Sequence, residues 1–152
     1  MGDKRSIKRC PQNSKRLGTW YESLFIPKCL SKGLHPHDTY GDYLAHDMLV
    51  MNDAGCVFKV QIKGTNTMVT DGRRYPKFRI TAKRGNRVSK KAGLGDLDCT
   101  KVDILAAYVE KHDLWYLIPC LAVTNMSVWL FPDNPDSKAR YEEYKDNWNC
   151  FF

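Results

Sequence analysis

HDMLVMNDAGCVFKVQIKG, residues 46–64, reads as two strands folded about a turn. Met48 and Val50 fall on one face of the first strand and Leu49 and Met51 on the other. After Asn52-Asp53-Ala54-Gly55, Val57, Phe58, Val60 and Ile62 resume the apolar pattern. A hairpin of this kind brings the tail of its second strand beside the head of its first. Asp47 therefore meets Gln61 and Lys63, and the latter two, separated by one residue, share a face. A carboxylate and an amide oxygen beside an ammonium suit a hard divalent cation and the activation of water near a phosphate. Spacing alone leaves a second reading open, an ordinary surface hairpin with polar ends.

The rest of the chain narrows the partner. Its 152 residues, 43% of them hydrophobic, are enough for one folded domain with a core of its own. The formal net charge is +7, and between Lys59 and Lys91 eleven basic residues face the single acid Asp71. Such a skew points to a polyanion. In RRYPKFRITAKRGNR, Tyr75 and Phe78 are interleaved with Arg73, Arg74, Lys77 and Arg79, a pattern for a strand or β-ribbon lying on a nucleic-acid backbone or in a groove. Lys83, Arg84, Arg87, Lys90 and Lys91 follow in a glycine-rich basic stretch that is expected to order only on its ligand.

Residues 1–15 are expected to form a basic arm and residues 16–152 a single domain. The polar, basic N-terminus carries no secretory signal and no long apolar span follows, so a cytoplasmic protein without a membrane anchor is expected. Six scattered cysteines without a C-x₂-C pair read as reduced packing residues. His35-x-His37 with Asp38 reads as a turn, given Pro36 between the histidines. Leu17, Trp20, Tyr21, Leu24 and Phe25 predict a first helix from Arg16 to about Gly33, kinked or broken near Phe25 by Pro27. Gly64 to Gly72 reads as a polar loop, Tyr75 to Ala82 as a strand, and Val102–Val109 with Leu114–Cys120 as a second, buried hairpin. Asn134-Pro135 followed by Tyr141, Tyr144 and Trp148 predicts a closing helix. The expected class is α/β, a central mixed sheet flanked by helices.

Glu22 on the first helix, Asp47 before an apolar strand and Gln61-Ile62-Lys63 at the end of the next resemble the PD-(D/E)XK nuclease superfamily in its variant with glutamine in the third motif. Together with VDILAAYVEKHDLWYLIPC and the Asn-Pro, Tyr-rich C-terminal region, the pattern is similar to the branch of homing endonucleases from bacterial group I introns. His46 stands where proline usually precedes the acid, and the interval from Asp47 to Gln61 is long for that branch.

The resemblance implies a restriction-endonuclease-like core that hydrolyses DNA phosphodiesters with Mg²⁺, for which Mn²⁺ can substitute. Asp47 would be the principal metal ligand, with Gln61 and the backbone carbonyl of Ile62 beside it. Lys63 would position the attacking water, Glu22 would restore the negative charge absent at Gln61, and Asp42 is the substitute for Asp47. A homodimer or homotetramer is implied, with Trp129, Leu130, Phe131, Phe151 and Phe152 available for subunit contacts or for core. The rival reading is a non-catalytic DNA- or RNA-binding domain whose function is the basic ribbon alone. KAGLGDLDC, residues 91–99, superficially echoes a different homing-nuclease signature, but Gly95 and the preceding Lys90-Lys91 favour a loop there.

Overall fold

The computed structural model describes residues 14–82 and 97–152. The basic arm and the contacts expected of Lys83, Arg84, Arg87, Lys90 and Lys91 lie outside the described residues, as does most of the segment 91–99. One helix, α1 (Ser14–Ser31), precedes β1 (His35–Asp38), β2 (Met48–Met51), β3 (Val57–Thr65), β4 (Met68–Val69), β5 (Lys77–Thr81), β6 (Ile104–Val109), β7 (Leu114–Pro119) and β8 (Ser127–Leu130). Five strands form a mixed sheet in the order β1-β2-β3-β6-β7, in which only β3 and β6 run parallel. β4, β5 and β8 form a second, antiparallel sheet.

The expected hairpin is β2 and β3. Met48 and Val50 are fully buried while Leu49 and Met51 are half-buried, and Gly55 turns the chain at φ 83°, a conformation that favours glycine. The second hairpin, β6 and β7, is buried on both faces, as its near-continuous hydrophobicity requires. On one face Val60, Ile62, Ile104, Ala106, Tyr108 and Leu117 pack with Tyr21, Phe25 and Cys29 of α1. On the other, Leu105, Ala107, Val109, Tyr116 and Ile118 pack with Phe78, Ile80, Val128 and Leu130 of the second sheet. Gln61 and Lys63 alternate with Val60 and Ile62 and so project from that second face.

Close approach of α1 to the sheet depends on a glycine. A Cβ on Gly64 would collide with the Tyr21 ring, which lies directly on β3 at that point. Tyr21 also donates through its hydroxyl to Glu110 Oε2, at 2.9 Å, in the connection between β6 and β7.

Five expectations need correction. α1 runs unbroken through Pro27, because Phe25 and Cys29 are fully buried and Phe25 is clamped between Trp115 and Trp148, at centroid distances of 4.9 and 5.8 Å. It stops where expected, Gly33 taking φ 74° while Leu34 N–H returns to Cys29 O. His35 to Asp38 is an edge strand rather than a turn, and Pro36 is tolerated because an edge need not donate on both sides. The stretch from Gly64 to Gly72 is not all loop, since β3 continues to Thr65 and β4 follows. No closing α-helix forms; Glu142–Tyr144 and Trp148–Phe151 are short 3-10 turns, separated by Asp146 at φ 47°. Finally, Cys99 and Cys120 form a disulfide across 21 residues of chain, because the hairpin brings their flanks to a Cα separation of 5.6 Å. Cys29, Cys56 and Cys150 are free thiols, and burial raises that of Cys29 to about 12.

Trp129 and Phe131 are partly exposed and Phe152 exposed, whereas Leu130 and Phe151 belong to the core. Among the described residues no helix is long and apolar enough to cross a membrane.

Candidate active site

Asp47 sits immediately ahead of β2, where its N–H donates to Val60 O at 2.9 Å and so sets it opposite Gln61 on β3. Its Oδ2 accepts two hydrogen bonds of 2.7 Å, one from Gln61 Nε2 and one from the Ile62 N–H. Of the expected convergence of Asp47, Gln61 and Lys63, the contact between Asp47 and Gln61 is realised by strand register, and the Ile62 N–H joins it. Ile62 meets Asp47 through its N–H, and Gln61 through its amide nitrogen, which among the described residues leaves Asp47 Oδ1 and the Gln61 oxygen as the acceptors still on offer.

Glu22 reaches the same corner from α1. Glu22 and Asp47 both line a cavity of about 350 Å³, together with Asp38, Asp42, Thr39 and His46. Burial raises the Glu22 carboxyl above its ordinary range, and the charges of Asp47 and Asp38 raise it further, while Lys63 opposes them. Burial likewise raises Asp47, against the Ile62 N–H and the positive charge of Lys63. Lys63 is therefore close enough to act on both carboxyls. Asp42, which also lines the cavity, is exposed, whereas Asp47 is half-buried and hydrogen-bonded.

Asp38 is a residue whose place in the cavity sequence reasoning missed. It enters at the end of β1, paired with Met48, and the only signal for it was the acid following His35-x-His37.

The donor set fits a hard divalent cation. Two partly buried carboxyls, both raised by burial and Glu22 further by the charge of Asp47, stand together at an electrostatic cost that a cation would remove. Among the described residues no group of three or more histidine, cysteine, aspartate or glutamate side chains is arranged to hold a metal. The remaining donors would have to be amide or backbone oxygens and water, which is the habit of Mg²⁺.

The basic residues on β5 and in the segment leading to it divide by surroundings. Arg79 on β5 is exposed. Lys77 pairs with Asp71 at 2.7 Å and lies 4.4 Å from the centre of the Trp129 ring. Arg73 is 3.4 Å from Asp71, and Arg74 covers the Tyr75 ring at 5.3 Å.

The family model for PD-(D/E)XK endonucleases matches residues 12–150, nearly the whole chain, a span that includes Glu22, Asp47, Gln61, Ile62 and Lys63. The chain belongs to the PD-(D/E)XK endonuclease family. Among solved structures, this PD-(D/E)XK protein is similar in fold to the bacterial homing endonuclease I-Ssp6803I, with a TM-score of 0.74 at 20% identity, over 91% of this chain and 92% of that one. No curated protein matches it. The mixed sheet with α1 on one face is thus the restriction-endonuclease-like α/β core of a PD-(D/E)XK enzyme.

Proposed function

We propose that this PD-(D/E)XK endonuclease is a site-specific, homing-type enzyme that hydrolyses phosphodiesters of double-stranded DNA with a divalent cation, Mg²⁺ or Mn²⁺ in its place. The observation that carries the reading is the double hydrogen bond from Gln61 and Ile62 that fixes Asp47 in a cavity shared with Glu22. Asp47, Glu22, the Gln61 amide oxygen and the Ile62 carbonyl would hold the ion. When bound, the cation supplies Lewis-acid stabilisation of the charge that builds on the phosphate and on the leaving oxygen. Gln61 and the Ile62 N–H keep the Asp47 carboxylate oriented. Lys63 orients the attacking water and offsets the negative charge of the two acids, which otherwise repel a phosphate.

Residues 16–152 act as the catalytic domain, with residues 1–15 as a basic arm. Arg73, Arg74, Lys77 and Arg79 carry groove and phosphate contacts, continued by Lys83, Arg84, Arg87, Lys90 and Lys91. A homodimer or homotetramer would supply the two sites that a double-strand break needs.

Nicking of supercoiled plasmid tests the reading. Cleavage is expected with Mg²⁺, none with chelator, and none from Asp47→Asn or Lys63→Ala although both still bind DNA. Binding without cation-dependent cutting by the unsubstituted protein would leave a DNA- or RNA-binding module instead.

A further inference from the structure

The mouth of the cavity carries aromatic surface that the hydrolytic chemistry does not use. In Thr39-Tyr40-Gly41-Asp42-Tyr43-Leu44, Tyr40 is 95% exposed and Tyr43 78%, while Thr39, Gly41, Asp42 and Leu44 line the cavity itself. Tyr43 lies against Gly41. Gly41 adopts φ 86°, and a Cβ added there would stand 2.5 Å from Tyr43 Cε1, so the ring rests against bare backbone. Only glycine accommodates both the backbone conformation and the ring. The result is an aromatic ring beside Gly41 and largely in solvent, at the edge of the site where Asp47 and Glu22 would meet a phosphate.

We propose that Tyr43, with Tyr40 beside it, stacks on bases flanking the scissile phosphate. The inference rests on the endonuclease reading and adds to it what grips the nucleotide on either side of the cut. Charge decides which part of the nucleic acid the rim receives. Asp38 and Asp42 make this side of the cavity acidic, which disfavours additional phosphates but not uncharged bases. Neighbouring nucleotides of a strand follow one another at about 3.4 Å, so a ring at the lip of the phosphate site lies within reach of the adjoining bases. Aromatic side chains in such positions stack without regard to base identity and unstack a step of the duplex, the deformation that exposes a backbone to attack.

The test uses full-length Asp47→Asn protein, which binds without cutting, and random-sequence duplex in which 5-iododeoxyuridine replaces part of the thymidine. Long-wavelength irradiation should cross-link Tyr43 or Tyr40, as mapped by mass spectrometry of the digested adduct. Adding Tyr43→Leu should abolish the Tyr43 adduct and weaken binding about tenfold, whereas Tyr43→Trp should retain affinity. Gly41→Ala, which displaces the ring, should mimic Tyr43→Leu. Cross-links confined to other segments, with Tyr43→Leu binding as tightly as its parent, would overturn the stacking reading while plasmid nicking by the unsubstituted protein upheld the endonuclease. Loss of self-association in DNA-free Tyr43→Leu, measured by sedimentation, would also overturn it and assign the face to a second copy of the chain. Failure of the unsubstituted protein both to bind and to nick DNA would bring down both readings.

Discussion

Asp47 is tied to the protein through one oxygen, Oδ2, which accepts from both Gln61 and Ile62. Because burial lifts its carboxyl above the ordinary range, the folded chain binds that proton more tightly than the unfolded chain does. The contribution to stability is full below the unfolded value and is lost as pH rises through the folded one. Without metal, ionisation of this side chain in the folded protein therefore costs stability. Asp47→Asn, whose amide oxygen can accept the same two bonds, should raise the denaturation midpoint of the metal-free protein while abolishing cleavage; an equal or lower midpoint would contradict this account of its burial. The same raised carboxyls, Asp47 and Glu22, predict that cleavage falls on acidification at a pH above that at which an ordinary carboxylate titrates, a decline to be followed by initial nicking rates across pH. Gln61→Glu would set a second carboxylate against Asp47 Oδ2 in place of a donor. It should cost about 1–3 kcal/mol without metal, recovered in part by added divalent cation, as urea denaturation would measure. Asp47, Gln61 and Lys63 were legible in the sequence because strand alternation and a short turn fix their faces. Asp38 was not, because His35-Pro36-His37-Asp38 has the composition of a turn and becomes a strand only by pairing with β2.

At the scale of the element, the helix that delivers Glu22 is positioned by an absence. Tyr21, next to Glu22 in the chain, lies where Gly64 has no side chain, and Gly64 is next to Lys63. Gly64→Ala should therefore push α1 off β3, costing about 1–3 kcal/mol and lowering turnover more than DNA affinity. Unchanged stability would show that the ring yields freely. The helix was legible from its apolar spacing and its glycine stop, and the error at Pro27 came from weighing a lost backbone bond without Phe25 wedged between two tryptophans. The expected C-terminal helix failed for a related reason. Tyr141 and Trp148 are buried as its spacing required, but Lys145 bridges to Tyr116 and Asp146 N–H donates to Trp115 O at 2.8 Å, so the edge of β7 captured the backbone. β8, whose Val128 and Leu130 complete the second core, is a four-residue strand whose partner β5 is distant in sequence.

For the molecule as a whole, the two core clusters share the β3-β6-β7 sheet, and the Cys99–Cys120 bond ties the approach to β6 to the exit from β7. Cross-linking residues 21 apart is worth about 3 kcal/mol through the unfolded chain. Thermal denaturation with and without reductant should show a drop of that order, abolished in a Cys99→Ser, Cys120→Ser double variant. The bond escaped the sequence reading because it depends on hairpin register, not on cysteine spacing.

The turn between β2 and β3 holds one further tie. Asn52, 6% exposed, donates through Nδ2 to Phe151 O at 2.8 Å and accepts from the Cys56 N–H, a link spanning 99 positions. On the ribosome, the hairpin bearing Asp47 and Gln61 emerges long before its tether does. Until residue 151 has left the exit tunnel, the turn that joins those two strands stands without its tether, so the hairpin must hold its shape on strand pairing alone for the synthesis of nearly a hundred residues.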